Sequence, residues 1–347
     1  MQPILLELGS YCTAALFVGD VPLFALADGT MHRCVDGDHS ARAHSALLAA
    51  AATADGQALL TSGDDGRICR TDGFGQPVEL AAVPRKWIGC VASSSLGPFA
   101  FAAGRSLWLQ DKSSPPRELQ HPRSIAAIAF SPDGARIAVA RYNGVTIHSA
   151  VQENEPVELE WRGIYTGLTF SLDGRFLLAA MQENLLHGWC VEDGRHFRMK
   201  GYPTKVKNWA WSADGRRLAT SGASAAIVWP FDGLDGPMGK TALEVSASRG
   251  EALVTAVAYH PLHEVLAIGY SDGALVVAEI DADDEALVRE SGRGALTSVA
   301  WHDGGERLAF GSEFGECAVV DVPQRHPARK SVSERPRALR AGPAMLR

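Results

Sequence analysis

The sequence lacks any run of apolar residues long enough to cross a bilayer, although 46% of its 347 residues are hydrophobic. A transmembrane helix needs about 18 or more such residues in succession. The first residues, Met1–Leu8, also lack the basic start and the cleavage site of a signal peptide. The sequence therefore gives no sign of a membrane protein, and we expect a cytoplasmic one.

The sequence also lacks paired cysteines. Its six cysteines are widely spaced and include no C-x-x-C pair: Cys12, Cys34, Cys69, Cys90, Cys190 and Cys317. Most of them lie in predicted strands, where a free cysteine packs as a small hydrophobic residue. Neither a zinc site nor a disulfide framework is predicted, and reduced thiols agree with a cytoplasmic location.

No nucleophile elbow, phosphate-binding loop or dinucleotide fingerprint occurs in the chain. The nearest match, residues 233–241, has its first glycine one position too far from Gly239 for a phosphate loop. The carboxylate pairs Asp64-Asp65 and Asp283-Asp284 fall in predicted turns, where Asp hydrogen-bonds nearby backbone groups. We therefore predict a protein that is not an enzyme and has no cofactor.

Two groups of potential metal ligands also favour structural roles. One is the segment Met31–His39, with His44 beyond it, whose spacing matches no standard zinc site. The other, His260 and His263, lies in a predicted turn between two strands. We interpret His44 as a residue that braces a turn, and we predict no metal site.

What the chain does contain is a short repeated pattern. A small or polar residue precedes Asp-Gly or a near-equivalent, and a run of small and apolar residues follows. The six copies begin at Ala52, Phe130, Phe170, Trp211, Tyr259 and Trp301. From Phe130 onward the copies are separated by 40, 41, 48 and 42 residues. A fixed period in this range is typical of repeat architectures.

Each repeat predicts three short strands, a, b and c, followed by a looser strand d. In the fourth repeat these are predicted at 125–130, 135–140, 145–149 and near 156–160. The order can be traced eight times, with strands b at 21–27, 57–62, 98–103, 135–140, 175–181, 216–221, 264–269 and 306–311. Strands c follow at 31–35, 67–71, 105–110, 145–149, 185–191, 225–230, 274–280 and 316–321. Asp-Gly and Asn-Gly pairs mark the b–c turns, and such four-stranded units are typical of propeller blades.

The chain resembles the WD-repeat family over residues 1–322. Two features of that family's repeat, the strand-c tryptophan and the aspartate of the b–c turn, are matched three times each. The matching residues are Trp108, Trp189, Trp229, Asp28, Asp65 and Asp272. His44 stands where the family has Gly-His, whereas the Trp-Asp dipeptide itself does not occur. The likeness is greatest to stand-alone bacterial WD-repeat proteins, and it implies a β-propeller that acts as a protein-interaction scaffold.

We predict an all-β fold, a single closed propeller of four-stranded antiparallel blades over residues 1–322. Eight repeats predict eight blades; seven remains the alternative if the first two repeats merge, since their linking strand near Ser40–Ala43 is weak. The apolar segment Ile4–Leu8 has no hairpin partner of its own. We predict that it forms the outermost strand of the last blade, which covers an otherwise open edge.

Charge is distributed unevenly along the chain. Residues 323–347 contain seven Arg and Lys against one Glu, so this tail carries +6 and the remainder −13 of the net −7. The tail also has four prolines and little apolar content, so we predict that it is disordered and forms no strand. Its basic character leaves nucleic-acid binding as an alternative function.

Charge also separates by position within the blades. In a propeller, the a–b and c–d turns open on one rim, while the b–c turns and the connections between blades open on the other. The first rim is predicted to be acidic, since it collects residues such as Asp55, Asp133, Asp173, Asp193 and Asp214. The second rim, in repeats three to six, is predicted to be basic with interleaved aromatics.

We predict that this second rim docks an acidic protein or peptide, because Arg, Trp and Tyr are enriched in binding hot spots. The residues predicted to make the contact are Trp87, Arg123, Arg141, Tyr142, Arg162, Tyr165, Tyr202 and Lys205. The strongly negative body argues against a bulk phosphate-binding role, and we expect a monomer. An enzyme-like propeller with a ligand or metal in its central channel remains a further alternative.

Overall fold

The structure is a computed structural model that describes residues 4–35, 37–111, 115–247, 250–282, 284–322 and 345–346. Every regular element within these ranges is a β-strand, so the all-β prediction is confirmed. No helix long and apolar enough to cross a membrane occurs in the described ranges.

The strands, in chain order, are β1 (Ile4–Glu7), β2 (Cys12–Val18), β3 (Val21–Leu26), β4 (Thr30–Cys34), β5 (Asp38–Arg42), β6 (Leu47–Ala52), β7 (Ala58–Gly63), β8 (Arg67–Asp72), β9 (Val78–Ala82), β10 (Cys90–Ser93), β11 (Phe99–Ala103), β12 (Ser106–Gln110), β13 (Arg117–Gln120), β14 (Ile125–Phe130), β15 (Arg136–Arg141), β16 (Gly144–Ser149), β17 (Val157–Glu160), β18 (Tyr165–Phe170), β19 (Phe176–Met181), β20 (Leu186–Cys190), β21 (His196–Met199), β22 (Trp209–Trp211), β23 (Arg217–Thr220), β24 (Ala226–Pro230), β25 (Leu243–Val245), β26 (Val254–Tyr259), β27 (Val265–Tyr270), β28 (Leu275–Glu279), β29 (Glu285–Arg289), β30 (Leu296–Trp301), β31 (Arg307–Ser312), β32 (Glu316–Asp321) and β33 (Met345–Leu346).

These strands form eight antiparallel sheets, which we number as blades 1 to 8 in chain order. The strand orders are β2-β3-β4-β5, β6-β7-β8-β9, β10-β11-β12-β13, β14-β15-β16-β17, β18-β19-β20-β21-β33, β22-β23-β24-β25, β26-β27-β28-β29 and β1-β32-β31-β30. The prediction of eight blades is confirmed, and the alternative of seven is wrong. The first two repeats remain separate because β5 forms a complete outer strand, in register with β4 from Asp38 to Arg42.

The N-terminal strand behaves as predicted. Residues Ile4 to Glu7 pair antiparallel with Val319 to Glu316, which makes β1 the outermost strand of blade 8. Strands b and c also lie where the hairpin signals predict them. In blade 4, for example, strand b is β15 and strand c is β16, each within one residue of its predicted limits.

The contacts divide the chain into two compact units. One, the terminal unit, comprises Met1–Phe17 and Asn208–Ala344; the other, the central unit, comprises Val18–Lys207 and Met345–Arg347. Most of the predicted tail, residues 323–344 and 347, lies outside the described residues, as do Asp36 and Asp283. The predicted limits 1–322 and 323–347 therefore stay predictions.

The tight hairpins follow from local hydrogen bonding. In blade 4 the Ser131 hydroxyl donates to the Asp133 carboxylate, which also accepts the Ala135 N–H at 3.0 Å. Gly134 completes the turn with φ of 71°, a left-handed conformation in which a Cβ would be strained. The Ser-x-Asp-Gly sequence therefore encodes the turn between strands a and b.

Each unit has its own apolar core between neighbouring blades. In the central unit, Val145 and Ile147 of blade 4 pack in one cluster with Phe170 and Trp189 of blade 5. In the terminal unit, blades 6 and 7 share a cluster that includes Tyr270. Burying a large apolar side chain stabilises the fold by roughly 1.5–3 kcal/mol, so these inter-blade layers hold the strands in register.

One short strand was not predicted. Met345 and Leu346 pair antiparallel with Arg198 and Phe197 of β21, so blade 5 has a fifth strand. The expectation that the tail forms no strand is wrong at these two residues. The unpaired backbone N–H and C=O groups of an edge strand can pair with any extended segment. The composition of the tail therefore does not predict this pairing.

Candidate protein-interaction surface

In the central unit, the b–c turns and the connections between blades lie on the same side, which we call the connection rim. Backbone hydrogen bonds link the b–c turns to neighbouring connections, namely the following connection in blades 2 to 4 and the preceding one in blade 5. The bonded pairs, with the N–H donor first, are Val83 to Gly66, His121 to Arg105, Asn143 to Gly163, and Gln182 to Ile164. This arrangement agrees with the predicted assignment of turns to the second rim.

Three predicted residues come together at blade 4. The Arg123 guanidinium carbon lies 5.4 Å from the centroid of the Tyr142 ring, a cation–π distance. Next to Tyr142, the Asn143 side-chain oxygen accepts the Gly163 N–H at 3.1 Å, so the turn and the connection bearing Arg162 are held together. Tyr142 is 42% exposed, and both arginines are exposed. The turn bearing Tyr142 and the connection bearing Arg162 are therefore neighbours on the connection rim.

Trp87 stands on the connection between blades 2 and 3. Its neighbour Ile88 is fully buried, and the Ile88 N–H donates to the Gly63 carbonyl at 3.2 Å. This anchor leaves the Trp87 side chain 74% exposed. An exposed indole on a fixed backbone costs little entropy when it binds, which favours a contact role.

Arg141 is held inside its own blade. Its side chain is 13% exposed and forms an ion pair with Glu158, and its Nε donates to the Thr146 hydroxyl oxygen at 3.2 Å. Thr146 also hydrogen-bonds Glu158. The charge of Arg141 is therefore used in an ion pair within blade 4 and is not available to a partner.

Two of the predicted tyrosines are buried. Tyr165 is 2% and Tyr202 7% exposed. The Tyr165 hydroxyl donates to the Trp161 carbonyl at 2.5 Å, and burial raises the pKa of this phenol above its usual value. Lys205 is half-buried. We therefore define the basic surface as Trp87, Arg123, Tyr142, Arg162 and Lys205, the predicted residues that keep access to solvent without an ion pair; their binding role stays a prediction.

Two surface residues were missed by the sequence analysis. Arg105 is exposed in the b–c turn of blade 3, and Ile164 is exposed directly after Gly163. Arg105 was predicted as the first residue of strand c, whereas the observed strand begins at Ser106. Ile164 carried no signal, because its apolar side chain predicts burial as readily as exposure. Exposed carboxylates, Glu160 and Glu183, also lie on this rim.

An aromatic cluster around the buried His187 adjoins the connection that bears Arg162. The Trp161 ring stacks on the His187 ring at a centroid distance of 4.3 Å, and the Arg198 guanidinium lies 5.4 Å from Trp161. Neither ring nitrogen of the fully buried His187 has a hydrogen-bond partner among the described residues. Burial first, then the neighbouring cation-forming groups His196 and Arg198, lower the pKa of His187 to about 3. The imidazole is therefore neutral at physiological pH.

The opposite side of the central unit, which we call the hairpin rim, carries the predicted carboxylates. The Ser131 hydroxyl holds the pKa of Asp133 below its usual value. Asp173 and Asp193 each pair with the arginine two residues further on, at 2.7 and 2.6 Å. These carboxylates close turns and neutralise arginines, so the hairpin rim is less acidic than its aspartates suggest.

The candidate metal ligands have structural partners. The ring nitrogens of His44 lie 3.1 Å from the Asp65 carboxylate and 3.0 Å from the Thr61 hydroxyl, which confirms His44 as a turn brace. In the terminal unit, a His260 ring nitrogen lies 3.1 Å from the Gly305 carbonyl. Within the described ranges, no group of three or more His, Cys, Asp or Glu side chains could hold a metal ion.

Comparison with known proteins gives weak sequence similarity and a clear fold. No family model matches the chain. Over 235 residues, 56% of the chain, it is 24% identical to Periodic tryptophan protein 2 of Saccharomyces cerevisiae, a WD-repeat protein. The chain spans about a quarter of the length of that relative, since the match covers 25% of it.

Two solved structures are similar over most of the chain. The β-propeller domain of Cps50 (Swd1) from Myceliophteria thermophila has a TM-score of 0.63 and 16% identity, covering 81% of this chain and 98% of that one. The computationally designed Ika8 protein has a TM-score of 0.69 and 17% identity, covering 90% and 97%. These likenesses indicate no enzymatic family. They show the fold: the chain is an eight-bladed β-propeller, with weak homology to a WD-repeat protein.

Proposed function

We propose that this protein is a non-enzymatic WD-repeat scaffold that docks an acidic protein or peptide on the basic surface. The observation that carries the proposal is the contact of Arg123 with the Tyr142 ring, together with the hydrogen bond that joins the turn bearing Tyr142 to the connection bearing Arg162. Neither arginine has a carboxylate partner within the part of the chain that the structure describes. Their charges are therefore available to a partner.

The chemistry of the surface supports an acidic partner. An arginine forms two parallel hydrogen bonds with a carboxylate, which adds geometric specificity to the electrostatic attraction. Tyr142 and Trp87 supply rigid aromatic area beside the charges, the combination found in binding hot spots. The partner's carboxylates belong near Arg123 and Arg162, away from Glu160 and Glu183 on the same rim.

The proposal includes the setting of the protein. We infer a stand-alone bacterial WD-repeat protein that acts as a monomer. We also infer a cytoplasmic location, with which the six cysteines agree because they include no C-x-x-C pair. The alternative of nucleic-acid binding through residues 323–347 concerns a segment of which the structure describes only Met345–Leu346. No observation in the described residues favours it.

The test is charge reversal on the basic surface. Arg123→Glu/Arg162→Glu should weaken capture of the acidic partner from a lysate of the native host at least 10-fold, because two attractive contacts become repulsive. Arg141→Glu is unsuitable, since it would break the ion pair with Glu158. The melting temperature of the variant should stay near that of the wild type.

A matched control comes from the hairpin rim. Arg175→Glu/Arg195→Glu makes the same change in net charge at two exposed ion pairs, and it should leave capture unchanged. Partners retained by wild type and control, and lost with Arg123→Glu/Arg162→Glu, would be identified by mass spectrometry. Equal loss in both variants, or none in either, would overturn the basic surface as the docking site.

A further inference from the structure

The outer strand of blade 5 differs in charge from the outer strands of the other blades. Among the eight outer strands that the structure describes, β21 (HFRM) is the only one without a carboxylate. The others carry Glu7, Asp38, Glu79, Glu118, Glu158, Glu160, Glu244 and Glu285. Charges on edge strands oppose pairing with further strands, and β21 has no negative charge to repel an acidic segment.

The edge of blade 5 is continuous with the basic surface. His196 and Arg198, the half-buried residues of β21, both contact Trp161: the His196 ring centroid lies 4.8 Å and the Arg198 guanidinium 5.4 Å from that indole. Trp161 directly precedes Arg162. A segment paired with β21 would therefore lie beside positive charge on the strand and could continue to Arg162.

The structure shows that this edge accepts a strand. Residues 345–346 pair with β21 in antiparallel register, Phe197 opposite Leu346 and Arg198 opposite Met345. In sequence, residues 335–347 contain four arginines and no carboxylate side chain. The two residues that pair with β21, Met345 and Leu346, offer no carboxylate to Arg198.

We propose that the edge of β21 is a strand-addition site for an extended acidic segment of a partner protein, and that the chain's own C-terminus occupies it in the free state. Backbone pairing supplies affinity in strand addition, while side chains supply specificity. The acidic partner gains attraction to Arg198, which the uncharged strand Met345–Leu346 does not supply, and replaces that strand. The inference rests on the proposed function only for the acidic character of the partner.

The first experiment tests the occupant. Met345→Pro/Leu346→Pro removes two backbone N–H groups and disfavours pairing, whereas the matched control Met345→Val/Leu346→Val preserves strand-forming residues. Hydrogen exchange in a peptide fragment covering His196–Met199 should be several-fold faster in the proline variant than in the control. Equal exchange would show that the C-terminus does not protect the edge.

The second experiment tests the ligand class. The probe is a fluorescent octapeptide of alternating Glu and Val, measured by anisotropy against both full-length variants. The proline variant should bind it roughly 3- to 10-fold more tightly than the valine control, since the competing strand is lost. The basic tail is present in both, so non-specific attraction to it cancels. An octapeptide of alternating Lys and Val should bind the proline variant no more tightly than the valine control.

The outcomes separate the two proposals. A Glu/Val peptide interrupted by two prolines should lose the gain; if it binds equally well, attraction is by charge alone and strand addition is wrong. One outcome supports the basic surface and overturns the edge site: charge reversal at Arg123 and Arg162 abolishes partner capture, but the proline variant binds the Glu/Val peptide no more tightly than the valine control. If charge reversal leaves partner capture unchanged but the proline variant binds the Glu/Val peptide more tightly, the edge site is supported and the basic surface is overturned as the docking site.

Discussion

The two rims of the central unit contain the same kinds of charged residue and use them differently. On the hairpin rim, Arg175 and Arg195 are each paired with an aspartate of the same turn. On the connection rim, Arg123 and Arg162 have no carboxylate partner among the described residues. Arginine content alone therefore does not locate a binding surface; the position of the nearest carboxylate decides whether the charge is available.

The largest expected change in the free energy of unfolding comes from comparing two arginines of the connection rim, Arg141 and Arg162. Arg141→Glu would place a second carboxylate beside Glu158 at a largely buried position, and we expect the free energy of unfolding to fall by about 2–3 kcal/mol. Arg162→Glu, at an exposed position, should change it by no more than about 0.5 kcal/mol. Urea unfolding at pH 7 measures both. Equal losses would mean that the two arginines have the same role.

The difference between Arg141 and Arg162 also shows what the sequence could predict. Local signals were sufficient for the hairpins: Asp-Gly and Asn-Gly placed strands b and c, and the unpaired apolar segment at Ile4 predicted the outermost strand of blade 8. The ion pair of Arg141 depends on strand β17 lying beside β16, with Glu158 opposite Thr146. Cross-strand register of this kind is not a local property.

Other features also divide into those that local sequence signals could predict and those that depend on tertiary contacts. Tyr165 was predicted on the second rim with the turns and connections of repeats three to six, but its side chain is buried and its hydroxyl donates to the Trp161 carbonyl. The neutralised hairpin rim could have been predicted, since Asp-Gly-Arg occurs at Asp173 and again at Asp214. Pairing of Met345–Leu346 with β21 could not, because two residues in a basic tail carry no strand signal.

Acid should affect the two rims in different pH windows. Behind the connection rim, burial lowers the pKa of His187 to about 3 and that of His121 to about 4. An unfolded histidine titrates near about 6.5, so the unfolded state binds more protons between these values. The contribution of each neutral histidine to the free energy of unfolding is complete above about pH 6.5. It is lost as pH falls toward the folded-state pKa, about 4 for His121 and about 3 for His187, by up to about 1.4 kcal/mol per pH unit for each histidine.

His187→Phe should therefore make the unfolding free energy less dependent on pH between 6.5 and 4. The phenyl ring keeps the stack on Trp161 and removes the two unpartnered ring nitrogens. Urea unfolding at pH 7, 6, 5 and 4.5 gives the slope, and His39→Phe, at an exposed position, is the matched control. Parallel pH profiles for wild type and His187→Phe would show that this imidazole is not held neutral by burial.

The smallest effect is expected on the hairpin rim, where several local hydrogen bonds stabilise each turn and one substitution removes only some of them. Ser131→Ala removes the hydroxyl that lowers the pKa of Asp133 and should cost about 1 kcal/mol at pH 7. Because the folded carboxylate has the lower pKa, this contribution is present above about pH 4 and disappears as pH falls through the folded-state value. Ser171→Ala, which removes the same 2.6 Å hydrogen bond to Asp173, should behave alike. A loss that persists unchanged at pH 2.5 would instead assign the effect to the Ser131 contacts with the Arg136 backbone, and the carboxylate would then have no share in holding the turn.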